Sequence, residues 1–100
     1  MDPCNLLRKE DLDRTGPKLE EMFQRLGDKI ALAHAKDVKA SANGTELPAP
    51  GMGVLDYPVY LRLLERLGRP MPLLIEHLTL SDVPRARDFV RRQMEIAARA

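Results

Sequence analysis

The 100-residue chain sets 16 Lys and Arg against 15 Asp and Glu for a formal charge of +1, which reads as one domain without the basic field that draws nucleic acid or an anionic membrane. Cys4 is the sole cysteine, which excludes a disulfide framework and a cysteine-based metal cage. No apolar run approaches the roughly 18 residues of a bilayer-crossing helix, and the first residues lack the layout of a signal peptide, so the expected setting is the cytoplasm.

Residues 1–7 open with Asp2-Pro3 and read as the end of an element. Residues 8–16 are charged, end in Thr15-Gly16, and are expected to form a linker or the approach to a helix. From Pro17 the pattern changes: Leu19, Met22, Phe23 and Leu26 fall at i, i+3, i+4 and i+7, one face of a helix that Pro17 opens and Gly27 closes. This stripe is explained by core packing and calls for no cofactor.

Residues 29–35 follow as a buried strand, with Ile30, Leu32 and His34 on one face and Ala31, Ala33 and Ala35 on the other. Residues 38–55 contain Asn43-Gly44, Pro48, Pro50, Gly51 and Gly53 and are expected to be one long loop. The Gly51-x-Gly53 pair suits a tight turn better than a phosphate cradle. A second helix is expected from Tyr57 or Pro58 to Leu67, capped near Asp56 and ended by Gly68, with Tyr60, Leu63, Leu64 and Leu67 on one face.

Residues 71–78 form the next apolar run and a second expected strand, with Pro72 near its start. Ser81 is expected to cap a final helix that carries Pro84 early and buries Ala86, Phe89, Val90, Ile96 and Ala97. Its Arg85, Arg87, Arg91, Arg92 and Arg99 alternate with Asp82, Asp88 and Glu95 and read as a solvated face. The alternation of helices and strands predicts an α/β fold with a parallel sheet.

Three strand ends carry metal-competent side chains, Asp2, His34 and Glu76. Each interval is long enough for one strand-helix unit of about 30 residues, so the three can be equivalent points on successive units. One imidazole and two carboxylates suit a divalent Mn, Mg, Co or Zn ion that polarises substrate oxygens. Taken singly, His34 reads as a packed or solvated residue and Asp2 as a turn cap. Glu76 needs a partner, a proton or a metal because it interrupts an apolar strand. His77 falls on the opposite strand face from Glu76 and is expected to pack or hydrogen-bond beneath the last helix.

The runs His34-Ala35-Lys36-Asp37, then 50–57 (Pro-Gly-Met-Gly-Val-Leu-Asp-Tyr), then Pro72-Leu73-Leu74-Ile75-Glu76-His77 together resemble the C-terminal third of the sugar phosphate isomerase/epimerase family, whose members share the xylose isomerase-like TIM barrel. The resemblance covers nearly the whole chain. It implies a partial (β/α)8 barrel over residues 1–100, from the end of strand six, through strand seven at 29–35 and strand eight at 71–78, to helix eight.

It further implies that Asp2, His34 and Glu76 hold a divalent metal, with a fourth ligand, a Glu from an earlier strand, lying before Met1. Glu76 would be both ligand and catalytic base. Lys36 and Asp37 would reach the hydroxyls of a sugar or polyol ketone, although a solvent-facing ion pair explains them equally well. Asn5 stands where many family members carry a substrate-contacting histidine.

The implied activity is isomerisation or epimerisation of a sugar (or sugar phosphate) by proton transfer next to a carbonyl, with the fragment inactive alone. Two alternatives remain: a non-catalytic assembly module that self-associates through exposed strand edges, and, ranked lower for want of a basic groove, a relative of the apurinic DNA-repair endonucleases.

Overall fold

The computed structural model describes residues 1–68, 72–76 and 79–99, with the backbone alone at Arg99. The expectations for Met71, His77, Leu78 and the Arg99 side chain lie outside the described residues.

The first helix, α1, spans Thr15–Leu26 and buries Leu19 and Phe23. Met22 packs at the rim of the core and Leu26 is exposed, so the apolar stripe is narrower than its spacing suggests. The approach to α1 is structured rather than a free linker. A short 3-10 turn at Lys9–Asp11 turns the chain, and the Asp11 carboxylate accepts the Arg8 N–H at 3.0 Å and pairs with Lys18 at 3.7 Å.

A 3-10 turn at Gly27–Lys29 leads to β1, Ala33–Ala35. This strand is shorter than the expected 29–35, because the chain is still turning at its start. β1 pairs in parallel with β4, Leu73–Ile75, in the register Ala33↔Leu73, His34↔Leu74 and Ala35↔Ile75. Met1 adds a third parallel position at the opposite edge, where its amino group donates to Leu32 O at 2.5 Å and His34 N–H donates to Met1 O at 2.8 Å. The next bond of this ladder would need an N–H at residue 3, and Pro3 has none. The chain therefore leaves the sheet there as a 3-10 turn at Pro3–Leu6.

Where a single loop was expected after β1, the chain forms an antiparallel hairpin of β2, Lys39–Ser41, and β3, Gly44–Glu46. Gly44 takes a positive φ of 136° at the end of its two-residue turn. The Asn-Gly pair is the local hairpin signal. Cross-strand Lys39 and Glu46 pair at 3.1 Å.

Helix α2, Tyr57–Arg66, is capped by Asp56, which accepts the Val59 N–H at 3.2 Å, and carries Pro58 in its first turn. Its buried face is Tyr57, Tyr60, Leu61 and Leu64, with Leu63 and Leu67 at the margin. Helix α3, Val83–Arg99, buries Ala86, Val90 and Ala97, while Ile96 is exposed. The turn before it, Leu80–Asp82, is capped by Thr79 where Ser81 was expected: the Asp82 carboxylate accepts from Thr79 N–H and Oγ1 at 3.3 and 3.0 Å, and Ser81 Oγ lies 2.9 Å from Thr79 Oγ1.

α2 packs on α1 on one side and α3 on the other. The alternating strand residues divide the sheet: Ala33 and Ala35 are fully buried in the main core cluster with Leu19, Tyr60 and Val90. Leu32 and Leu74, on the other face, are 38% and 49% exposed. The small alanines let the helices approach the sheet closely, and the other face stays open. No helix among the described residues is long and apolar enough to cross a membrane.

Candidate metal centre

The open sheet face carries the chemistry. Met1 lies level with Ala33 in the parallel ladder, so Asp2 lies level with His34, and continuation of the β1–β4 register sets Lys36 beside Glu76. The polar side chains at the carboxyl ends of three neighbouring strand positions therefore converge, where strands of a parallel sheet end in variable loops.

One ligand atom from each of Asp2, His34 and Glu76 lies within 4.8 Å of the other two. His34 Nδ1 is 3.3 Å from Asp2 Oδ2 and in direct contact with Glu76 Oε1. Among the described residues, His34 Nδ1 is buried with these two carboxylate oxygens as its polar contacts, and the buried Asp2 Oδ1 has no hydrogen-bond partner. A buried polar atom without a partner is costly, and two carboxylates gathered around one imidazole suit a cation shared among them. The N/O donor set fits a divalent ion of the Mg, Mn, Co or Zn kind.

Lys36 joins the cluster from below. Its side chain is 6% exposed, and its ammonium donates to Asp2 Oδ2 at 2.7 Å and lies 3.4 Å from Glu76 Oε2. Burial acts to lower its pKa, but the Asp2 and Glu76 carboxylates outweigh that and hold it above the ordinary lysine value. Asn5 Nδ2 also donates to Asp2 Oδ2, at 2.9 Å, from an exposed position. The structure thus brings Asp2, Asn5, His34, Lys36 and Glu76 into one group.

Asp37 has a different place. Its side chain is among the most deeply buried in the molecule, and its carboxylate accepts three backbone N–H groups, from Val38 at 2.9 Å, Gly51 at 2.8 Å and Leu55 at 2.9 Å. It closes the 38–55 segment into a compact loop that returns beside β1. The glycines of that segment serve this closure. A side chain at Gly53 would put Cβ 2.4 Å from Val38 O, and Gly51, at φ +93°, lies against the Phe89 ring.

Two tyrosines, Tyr57 expected only at the start of its helix and Tyr60 only on its packing face, also build the site. Tyr60 OH donates to His34 O at 2.9 Å, and Tyr57 OH donates to Lys36 O at 2.5 Å. The His34 carbonyl is the one Pro3 leaves without an N–H. α2 thus fixes the backbone at the two residues whose side chains enter the cluster. Burial raises both phenol pKa values far above the usual range, with the Asp37 charge adding to the effect at Tyr57 and Cys4 adding to it at Tyr60, so both remain neutral donors. The available signal was the spacing of Tyr57 and Tyr60, three apart on one helical face. Beneath them Cys4 is buried, and burial, aided by the Asp37 and Asp2 charges, pushes its thiol up to about 12.

No protein-family model, curated protein or solved structure matches the chain.

Proposed function

We propose that this chain is the metal-binding C-terminal part of a sugar (or sugar phosphate) isomerase or epimerase built on a (β/α)8 barrel. The observation that carries the reading is the convergence of Asp2, His34 and Glu76 from three parallel strand positions, with Asp2 Oδ1 buried and without a hydrogen-bond partner among the described residues. The parallel β1–α2–β4 unit, with helices on one sheet face and the polar cluster on the other, has the layering of a barrel segment.

In this reading one oxygen each of Asp2 and Glu76 and a ring nitrogen of His34 would hold a divalent ion, which when bound supplies Lewis-acid polarisation of a substrate carbonyl. The residues around it do the rest. Glu76 would take a proton from the carbon beside that carbonyl and, for isomerisation, deliver it to the former carbonyl carbon while the hydroxyl proton moves to the carbonyl oxygen; for epimerisation Glu76 would keep that proton and a second carboxylate would give its own to the opposite face. That second carboxylate and the fourth ligand would be the Glu that the family resemblance sets before Met1. Asn5 lies at the exposed rim, where sugar hydroxyls would meet it, while the buried Lys36 holds Asp2 and Glu76 from beneath, out of a substrate's reach, and Asp37 supports the loop behind. The substrate class is a small sugar or polyol ketone.

Titration with Mn2+ followed by assay of ketose epimerisation tests the reading. Binding that is lost in His34→Ala, with no turnover by the chain alone, is the expected result. Absence of Mn2+ binding would overturn the metal assignment, and turnover by the chain alone would overturn the need for a further carboxylate.

A second reading, self-association through the open sheet, is favoured by the exposure of Leu32 and Leu74 beside the cluster. Light scattering over a range of concentrations decides it: a constant monomer mass refutes it.

A further inference from the structure

The two carboxylates of the cluster are not used symmetrically. Asp2 turns Oδ2 to the Lys36 ammonium and to Asn5, while Oδ1 is buried without a partner. Glu76 turns Oε2 toward the same ammonium at 3.4 Å and presents Oε1 to His34 Nδ1. Each carboxylate therefore has one oxygen on the ammonium; the other faces His34 in Glu76 and is left unpaired in Asp2, whose Oδ2 also lies 3.3 Å from His34 Nδ1. Lys36 is well suited to this arrangement, since an ammonium carries several donors on one atom and its side chain is almost wholly enclosed. Its backbone is fixed as well, because its carbonyl accepts the Tyr57 hydroxyl.

We propose that Lys36 is a positioning residue that clamps Asp2 and Glu76 as one-oxygen ligands and so selects a small octahedral ion, of the Mg2+ or Mn2+ kind, over Ca2+. The inference rests on the metal reading above. Ca2+ takes six to eight oxygens in flexible geometry and commonly draws both oxygens of a carboxylate, whereas Mg2+ requires near-ideal octahedral coordination. A cation holding the outer oxygens denies Ca2+ its extra ligands at little cost to the smaller ions. Groups that orient metal ligands in this way commonly change affinity by about 10- to 100-fold when removed. The same ammonium leaves a formal charge of −1 on the group of Asp2, Glu76 and Lys36. That charge affects all divalent ions alike, so selectivity between them reads the geometry.

The test compares the wild-type chain with Lys36→Met, which removes the ammonium but keeps an unbranched apolar stem. Mn2+ affinity is measured by electron paramagnetic resonance of the free ion, and Ca2+ affinity by competition. The expected result is a shift of the Ca2+-to-Mn2+ preference toward Ca2+ by about tenfold or more. Mn2+ binding with an unmoved preference would overturn the clamp and leave the metal reading intact. A wild-type chain that binds no Mn2+ would overturn both.

If Lys36→Met does not fold, NMR of the Lys36 ammonium in the wild-type chain decides. A slowly exchanging ammonium signal that persists when Mg2+ is bound supports the clamp. Release of that signal into fast exchange with water on Mg2+ binding, as for a lysine that merely fills an empty site, overturns it.

Discussion

Replacing Asp37 by alanine separates a loop-building role from a substrate-binding one. The carboxylate accepts three backbone N–H groups, and two of their owners, Val38 and Leu55, are buried, while Gly51 is exposed. In Asp37→Ala the Gly51 N–H regains water, but those of Val38 and Leu55 have no acceptor in reach. Each buried donor left unsatisfied costs about 1–3 kcal/mol, and removing a buried charge returns part of that. The net expectation is a loss of about 3 kcal/mol, a large share of the roughly 5–15 kcal/mol that holds a domain of this size. Asp37→Asn keeps a carbonyl oxygen for Val38 and Leu55 but opposes its amide to the Gly51 N–H, so its loss is smaller, about 1–2 kcal/mol. Urea unfolding followed by circular dichroism reads both values. An alanine variant within about 1 kcal/mol of wild type would rule out the loop-building role and return Asp37 to the surface chemistry its sequence context suggests.

Gly53→Ala, whose Cβ would lie 2.4 Å from Val38 O, forces the same loop apart and is expected to cost about 1–3 kcal/mol in the same assay. The raised Cys4 pKa makes stability fall as pH rises from the free-thiol range toward about 12, because the unfolded chain loses its thiol proton first; unfolding midpoints between pH 8 and 11 should therefore fall less steeply in Cys4→Ala. In the native protein a thiol-specific reagent is expected to react only as fast as the chain opens. The Arg8 N–H and Lys18 hold the Asp11 carboxyl below its usual range against the opposing effect of burial; its stabilisation is present above the unfolded carboxylate pKa and lost as pH falls through the folded one, so Asp11→Asn should flatten the acid limb of the stability profile.

The helices were legible because their signals are local: apolar spacing for α1, an Asp-Tyr-Pro start for α2, and the apolar face of α3. Strand lengths were not, since β1 and β4 each pair over only three residues and their limits depend on where a neighbour offers a partner. Met1 illustrates this, as nothing in its own composition says that it extends the sheet. The hairpin at 39–46 carried its Asn-Gly signal but lacked apolar alternation, and so read as loop. Within the cluster, residue types and spacing indicated Asp2, His34 and Glu76. The sharing of Asp2 Oδ2 with Lys36, the Gly51 and Leu55 N–H groups on Asp37 and the tyrosine hydroxyls on the His34 and Lys36 carbonyls are tertiary, joining residues up to 34 positions apart.

The central claim is that Asp2, His34 and Glu76 form one divalent-ion site. Its most direct measurement is Co2+ titration monitored by visible absorption on the wild-type chain beside Asp2→Asn, His34→Ala and Glu76→Gln. Ligand-field bands are expected to saturate in the wild type and to weaken in all three variants, with nitrogen ligation lost only in His34→Ala. Bands that survive in every variant, or that never appear in the folded wild-type chain, would contradict it.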